Sequence, residues 1–333
     1  MTVYRDLTVI AATGERFGDV RPYVASVNDS GTVAFQGALR SGGSGVFTGS
    51  GGEVAEAVGP DRVSGVTSHP DLNNAGKLSF YGELLGGGQA AFLLRDGQLQ
   101  TIADTRGGFE SIGPLGPTMN QAGAVAFRAD PAQGVSGIYA GDHESVATIA
   151  DTEGPWSEFH GLPVIDRDRN VVFRADRKDG VQGIYVGRGG SIRTVAETGE
   201  LFESFGLFPS ANNRGTVAFA ATLRTGAAGI FTACEGSIEH VTADDAFESF
   251  RGALITDGGT VVRLATPRGG SLGLFAGPDP RADRILAVGD QLLGSKVAEL
   301  AANPVSVNAA GQVAIRASLA DGRQVILRAD PAR

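Results

Sequence analysis

The chain has 333 residues, of which 42% are hydrophobic, and its 37 acidic residues outnumber 28 Lys and Arg. This mildly acidic balance argues against a dedicated nucleic-acid-binding protein. The single cysteine, Cys234, excludes an internal disulfide framework and a cysteine-rich metal site. No run approaches the roughly 20 apolar residues of a membrane helix, and no long apolar run follows Met1–Asp6 as it does in a signal peptide. We therefore expect a cytoplasmic protein that does not bind membranes.

One unit recurs seven times along the chain. The residues that end its second strand, a Gly-x-Val-Ala-Phe-like segment, are Phe35, Phe80, Phe127, Phe173, Phe219, Arg263 and Ile315. Their spacings are 45, 47, 46, 46, 44 and 52 residues. A period of this length with four short strands in each copy is typical of propeller blades. The sequence therefore predicts an all-β, seven-bladed β-propeller with four antiparallel strands in each blade.

The strands follow the same order in each unit. Strand A leads to an Asn-x-x-Gly turn, as in Asn28–Gly31, and both residue types tolerate the positive φ of a tight hairpin. Strand B resembles Thr-Val-Ala-Phe, strand C resembles Gly-Ile-Phe, and strand D resembles Ile192–Ala196. In the fourth unit, Asp166–Asn170 resembles the start of a calcium loop but lacks the later Gly and Glu. We interpret it as the A–B turn, with Asn170 in place of the usual Gly.

The seventh unit lacks a strand D, because the chain ends at Arg333 shortly after the strand C segment Gln324–Leu327. The missing strand is present at the other end, where Leu7–Gly14 aligns without gaps on Ile192–Gly199. We therefore expect residues 1–14 to supply the outer strand of the last blade, which leaves no blade edge exposed. Residues 1–333 would then form a single propeller domain.

The Asn-x-x-Gly-x-Val-Ala-Phe repeat resembles the tandem-repeat propellers that are named for this motif, and it is more distantly similar to TolB-type propellers. The resemblance covers nearly the whole chain. It implies the architecture and no particular activity, since propellers include both enzymes and binding scaffolds.

The repeat also predicts the blade cores. The five phenylalanines that end strand B should be buried between blades, with the aromatic residues of strand C nearby; the latter are Phe47, Phe92, Tyr139, Tyr185, Phe231 and Phe275. Arg263 takes the phenylalanine position in the sixth unit. Because an unpaired buried charge is costly, we expect Arg263 to reach solvent or to meet an acidic partner.

Functional residues are expected where strand D links to the next strand A, around one mouth of the channel. We align these links on Phe202–Gly206. The fifth position then contains Arg21, Thr67, Gly113, His160, Gly206, Arg251 and Lys296. If these side chains face the axis, Arg21, Arg251 and Lys296 would bind an anion together with His160. The alternative is that they pair with Glu110, Glu203 and Glu248, and such exposed pairs contribute little to stability.

Other candidate residues lie beside this position. His69 and Tyr23 come two residues later in their units, and a histidine that titrates near neutral pH is a candidate acid or base. We therefore predict His160, His69 and Tyr23 as catalytic residues. Trp156 and Glu158 are candidate ligand contacts, although Trp156 occupies the position of Phe202 and a packing role is an equal alternative.

Two functions are compatible with these residues. The first is an enzyme, or at least a binder, for a small organic anion at the channel mouth, with lyase, hydrolase or cyclase chemistry. No organic cofactor is expected. The sequence does not decide whether the channel holds a divalent metal. The second is a protein–protein interaction scaffold, which needs only an exposed apolar or charged rim. The observation that separates them is whether the side chains at the fifth position converge within one pocket.

Overall fold

The computed structural model describes residues 4–131, 134–241 and 246–332. Seven antiparallel sheets follow one another along the chain as the blades of a propeller, which confirms the predicted fold class. The described residues contain no α-helix, and one 3₁₀ turn, Pro304–Ser306, lies in the seventh blade. None of the helical segments in these ranges has the length and apolar character to cross a membrane.

The first three blades each contain two short inner strands and three longer ones. The first blade consists of Phe17–Asp19, Ser26–Val27, Val33–Leu39, Ser44–Gly49 and Ala55–Val58. The second blade consists of Gly65–Val66, Asp71–Leu72, Leu78–Glu83, Gln89–Arg95 and Gln98–Asp104. The third blade consists of Phe109–Ile112, Thr118–Met119, Val125–Pro131, Gly137–Gly141 and Val146–Asp151.

In the fourth and sixth blades the inner segments join into one continuous strand. The fourth blade consists of Trp156–Ile165, Val171–Arg177, Gln182–Arg188 and Ser191–Glu197. The fifth blade consists of Phe202–Phe205, Ser210–Ala211, Val217–Leu223, Ala228–Cys234 and Ser237–His240. The sixth blade consists of Phe247–Ile255, Val261–Pro267, Gly273–Phe275 and Arg284–Ala287. The seventh blade consists of Gln291–Leu292, Ser295–Ala301, Val313–Leu319, Gln324–Pro331 and Tyr4–Ala12.

The N-terminal strand closes the last blade. Tyr4–Ala12 pairs antiparallel with Gln324–Pro331. A one-residue irregularity between Val9 and Ala11 corresponds to one at the same place in strand D of the fourth blade. The prediction for residues 1–14 is confirmed where the structure describes them, and residues 1–3 lie outside the described residues.

The aromatic residues of strands B and C form the blade cores as predicted. The five strand B phenylalanines are each at most 1% exposed, and the six aromatic residues of strand C are each at most 7% exposed. A third aromatic residue meets each pair edge-on in several blades. In the fifth blade the ring of Phe202 lies 5.8 Å from that of Phe219 and 5.0 Å from that of Phe231. Such edge-to-face contacts add to the stability gained by burial.

Arg263 occupies the phenylalanine position in the sixth blade. It pairs with Phe275 across strands B and C, as Phe219 pairs with Phe231, so the predicted register is correct. Arg263 is 3% exposed, so its side chain does not reach solvent. It has an interaction partner in this buried position.

The asparagine of the A–B turn bonds both its own turn and the next blade. Its side-chain oxygen accepts backbone N–H groups within the turn; for Asn212 these come from Arg214 and Thr216, both at 3.0 Å. Its amide nitrogen donates to the backbone carbonyl of the corresponding turn one blade further on. The five asparagines that do this, at 2.8 to 3.3 Å, are Asn28, Asn73, Asn120, Asn212 and Asn308. We call this ring of contacts the asparagine belt.

The belt has two gaps, because Asp166 and Thr256 replace asparagine in the fourth and sixth blades. Both residues still bond their own turns: Asp166 accepts the backbone N–H groups of Asp168 and Asn170, and Thr256 accepts that of Thr260. Neither carries an amide N–H that could reach the next blade. The junctions between blades four and five and between blades six and seven therefore lack this contact.

The fourth turn corrects one sequence prediction. Arg169, and not Asn170, takes the position of the usual Gly, since Arg169 has a φ of 64° and donates its backbone N–H to the Asp166 carbonyl. Asn170 instead donates its side-chain amide to Asp166 Oδ2 at 2.8 Å. The Asp166 carboxylate is thus bonded within the turn, which agrees with a structural role.

We predict that Thr256→Asn stabilises the fold by completing one junction of the belt. One added hydrogen bond contributes about 0.5–1.5 kcal/mol to the free energy of unfolding. The matched control is Asn212→Thr, which should lose a similar amount because it opens the preceding junction. Urea unfolding of both variants measures the effect. A Thr256→Asn variant no more stable than the wild type would show that the belt does not contribute in this way.

We also predict that deletion of residues 1–14 destabilises the ring. The deletion removes the partner of Gln324–Pro331 and leaves an unpaired strand edge, which favours association between molecules. Thermal unfolding and light scattering should show a lower melting temperature and self-association. A monomeric truncated protein that melts at the wild-type temperature would contradict the closure.

Candidate functional site

A cavity with mainly apolar walls lies at the mouth formed by the links into strand A. Its volume is about 680 Å³, and six of the seven blades contribute residues to it. Its apolar walls are formed by Leu207, Phe208, Phe250, Leu264, Leu272 and Leu300. This size and lining are typical of sites for small organic ligands, in which a few polar groups set the orientation. We call it the mouth cavity.

The polar groups of the mouth cavity include three of the predicted site residues, Tyr23, His69 and Arg251. Arg251 is exposed, and no carboxylate within the described ranges forms an ion pair with it. Tyr23 is half-buried, and desolvation raises the pKa of its hydroxyl, which stays protonated and able to donate a hydrogen bond. The cavity therefore offers a guanidinium and a hydroxyl beside apolar walls.

His69 does not have the predicted character of a near-neutral acid or base. It is 2% exposed, and burial lowers its pKa to about 4. Its Nε2 lies 3.2 Å from the Pro117 carbonyl in the third blade, and its Nδ1 lies 3.4 Å from Asn303 Nδ2 in the seventh. The imidazole therefore stays neutral and joins three parts of the cavity wall, because charging it would require desolvation of a cation.

The strand register corrects the predicted position of Lys296. Val297 pairs with Leu319 and Leu300 with Ala317, as Phe202 pairs with Leu223 and Phe205 with Ala221. The fifth position of the seventh blade is therefore Ala301. Lys296 lies five residues earlier, is exposed, and pairs with Gln291 in a short hairpin. The same pairing shows that Phe202–Phe205 is the first part of the inner strand and not a free link.

Arg21 does not line the mouth cavity, although Pro22 and Glu299 line both that cavity and the one beside Arg21. It lines a smaller cavity of about 360 Å³ with Asp19, Pro22, Glu299 and Arg316. Its guanidinium is 3.3 Å from Asp19 Oδ2. Its backbone N–H donates a hydrogen bond to Asp19 Oδ1 at 2.6 Å. Desolvation acts to raise the pKa of Asp19, but the hydrogen bonds and charge of Arg21 together outweigh it, so this pKa lies below its usual value.

His160 forms a third group with two carboxylates. Its Nε2 lies 3.2 Å from Asp176 Oδ2 and its Nδ1 lies 3.8 Å from Glu158 Oε1. The basic residues of the fifth position therefore have different neighbours: Arg251 lines the mouth cavity, Arg21 faces Asp19, and His160 faces Asp176 and Glu158. Arg21 and His160 face carboxylates of their own blades rather than Glu110, Glu203 or Glu248 of other blades.

Trp156 is buried in the blade core. It is 5% exposed, and its ring lies 5.7 Å from that of Phe173 and 4.4 Å from that of Tyr185. The structure supports the packing role, because no face of the indole is open for stacking on a ligand.

Sequence reasoning missed Arg174, Asp176 and Arg316. Arg174 and Arg316 follow the residue that ends strand B, and they are 7% and 4% exposed. Desolvation lowers the pKa of Arg174, while the charges of Asp176 and Glu158 oppose that shift. The available signal was an arginine directly after the residue that ends strand B, in Phe173–Asp176 and in Ile315–Ser318, because the surrounding run is apolar and buried.

We predict that acid destabilises the protein through His69. Between pH 6.5 and pH 4 the unfolded chain binds a proton at this histidine and the folded protein does not, so stability falls as pH falls through this window. The wild type should lose about 2–3 kcal/mol relative to His69→Gln between pH 7 and pH 4.5. Urea unfolding of both proteins at the two pH values measures the difference. If the difference in the free energy of unfolding between the two proteins is the same at both pH values, His69 is not held neutral by burial.

The comparison with solved structures agrees with the fold. An oligogalacturonate lyase in complex with manganese has a TM-score of 0.61 at 11% identity, with 100% of this chain and 99% of the lyase covered. A puromycin-hydrolyzing peptidase of Mycobacterium tuberculosis has a TM-score of 0.57 at 13% identity, with 98% of this chain and 55% of the peptidase covered. A chain of the mitotic checkpoint complex has a TM-score of 0.53 at 11% identity, with 98% and 94% covered. At these identities the likeness shows the propeller fold alone.

The sequence comparisons identify a family. No curated protein matches the chain. A family model matches residues 27–325, and so covers most of the seven blades. The chain belongs to a family of unknown function, DUF7453.

Proposed function

We propose that the protein binds a small organic anion with an apolar body in the mouth cavity. The observation that carries the proposal is the combination of apolar walls in a cavity of about 680 Å³ with Arg251 at its surface. Burial of an apolar ligand body against these walls would supply most of the affinity, because the gain scales with the apolar area removed from water.

Arg251 supplies the charge specificity in this proposal. An arginine binds a carboxylate or phosphate through two parallel hydrogen bonds, and Arg251 has no carboxylate partner within the described ranges. Tyr23 offers a further hydrogen-bond donor, since its hydroxyl stays protonated. A ligand with its anionic group at Arg251 and its apolar part against Leu272 and Phe208 would use both features.

Lyase, hydrolase or cyclase chemistry stays a prediction, as does the cytoplasmic location. His69 is a weak base at neutral pH, because its pKa is about 4 and both ring nitrogens have neighbours. Proton transfer would instead involve His160, which faces Asp176 and Glu158. The mouth cavity by itself therefore supports binding better than catalysis.

A protein-binding propeller is the second candidate. Leu207 and Leu115, both at the mouth cavity, are 50% and 37% exposed. Exposed leucines around a concavity are typical of surfaces that accept an apolar side chain of a partner protein. In this alternative Arg251 would meet an acidic residue of the partner.

The test compares carboxylates with their uncharged amides: octanoate with octanamide, and phenylacetate with phenylacetamide. We expect the carboxylates to raise the melting temperature by mass action. Arg251→Gln should weaken their binding about tenfold, the loss expected for one charge-assisted pair. Leu207→Ser should weaken both carboxylates and amides, because it removes apolar contact area. The matched control is Lys296→Ala, which removes an exposed cation outside the cavity and should behave as the wild type.

Two outcomes would overturn the proposal. Equal binding of octanoate to the wild type and to Arg251→Gln would show that Arg251 does not bind the anionic group. No melting shift with any of the four compounds in the wild type would leave the protein-binding alternative as the better explanation of the exposed leucines.

A further inference from the structure

We infer that Glu158, His160 and Asp176 form a binding site for a divalent transition-metal ion. Each residue offers one ligand atom, and these atoms all lie within 4.8 Å of one another. Imidazole and carboxylate together suit first-row dications from Mn²⁺ to Zn²⁺ rather than Ca²⁺ or Mg²⁺, which prefer oxygen ligands alone. The inference does not depend on the proposed function of the mouth cavity.

Strand pairing within the fourth blade holds the three side chains together. Glu158 and His160 are two residues apart on Trp156–Ile165 and so project from the same face of the strand. Glu158 pairs directly with Asp176 on the neighbouring strand, and His160 pairs with Arg174. The arrangement therefore rests on two hydrogen-bonded strands rather than on a loop, which favours a defined ligand geometry.

Two polar atoms of the group have no hydrogen-bond partner within the described part of the chain. They are Asp176 Oδ1 and His160 Nε2, which lies 3.2 Å from Asp176 Oδ2 without a hydrogen bond between them, and both are inaccessible to solvent. A buried polar atom without a partner costs free energy. A cation between them would satisfy both atoms at once, and this is the observation that points to a ligand.

The distances agree with coordination. His160 Nε2 and Asp176 Oδ2 are 3.2 Å apart. Two ligand atoms that each lie about 2.1 Å from one ion are roughly 3 to 3.5 Å apart. Glu158 Oε1 lies 3.8 Å from the other ring nitrogen, Nδ1, and the Glu158 side chain is 68% exposed. It therefore has the freedom to complete the coordination or to accept the Nδ1 proton, as carboxylates beside metal-bound histidines commonly do.

The neighbouring charges set the expected strength of the site. Arg174 pairs with His160 across the strands, and its charge interacts with those of Glu158 and Asp176. The charge of Arg128 interacts with those of Glu158 and Asp130. Gln182 also donates a long hydrogen bond of 3.5 Å to Asp176 Oδ2. The two guanidinium groups offset part of the charge of three carboxylates. We therefore expect moderate rather than tight metal affinity.

The site lies close to the mouth cavity. His160 takes the fifth position in the fourth blade, and the residue at that position in the fifth blade, Gly206, lines the cavity. Gly161 contacts the Leu207 carbonyl so closely that no Cβ fits between them. His160 is therefore one residue away from a backbone segment that packs against Leu207 in the cavity wall.

The test titrates Mn²⁺, Co²⁺ and Zn²⁺, each alone, into full-length protein that has been treated with a chelator, and follows heat and melting temperature. We expect saturable binding of one ion at pH 7.5, because the three residues provide one set of ligand atoms. His160→Ala and Asp176→Asn should each weaken binding by at least about tenfold. The matched control is His143→Ala, since His143 lies 4.0 Å from Glu144 in another histidine–carboxylate pair. It should leave the affinity unchanged.

A variant that fails to fold does not prevent the test, because the wild type gives an independent readout. Bound Mn²⁺ should broaden the NMR signals of the His160 ring and leave those of His143 unchanged. The inference is overturned if the wild type binds none of the three ions more tightly than about 1 mM. Equal affinities for wild type, His160→Ala and Asp176→Asn, or broadening of His143 alone, would overturn it equally. The group would then be an internal ion pair.

Discussion

The propeller depends on hydrogen bonds that the asparagine belt forms between blades. Each blade is a complete sheet, and apolar packing between blades fixes no exact distance along the axis. The belt does, because the Asn212 oxygen is held by two N–H groups of its own turn while its amide reaches the Thr256 carbonyl. One side chain thus determines the shape of its turn and the position of the neighbouring blade. Five of the seven A–B turns contain this asparagine, so five of the seven blades are held to the next blade by the same contact.

The fold was predictable because the repeat carries redundant signals. The strand B phenylalanine and the Asn-x-x-Gly turn each point to seven blades, and the missing last strand points to closure by Leu7–Gly14. Even Arg263 fits the register, since its strand pairing with Phe275 is that of the phenylalanine it replaces. The misplaced Gly position at Arg169 shows the limit of pattern matching: a left-handed residue is defined by φ, and Asn170 resembles a turn residue without having that conformation.

The site was only partly predictable, for reasons of register and local pairing. A hairpin at Gln291–Leu292 inserts residues ahead of the inner strand, so gap-free alignment placed Lys296 where Ala301 lies. The fifth position also shares a strand face with the third, so Asp19 meets Arg21 and Glu158 meets His160 before any ligand does. Sequence patterns located Tyr23, His69 and Arg251 at the mouth but could not show that burial keeps His69 neutral.

Closure of the ring by its first strand also constrains the order of folding. Thr8 bonds Asp330, a partner 322 residues further along the chain. At 5–20 residues per second, synthesis separates these residues by roughly 15–65 s. During that time the apolar strand Tyr4–Ala12 has no place in any completed blade, and the ring stays open. Contacts of such separation slow folding, so the first strand stays without its partner until Gln324–Pro331 has been made.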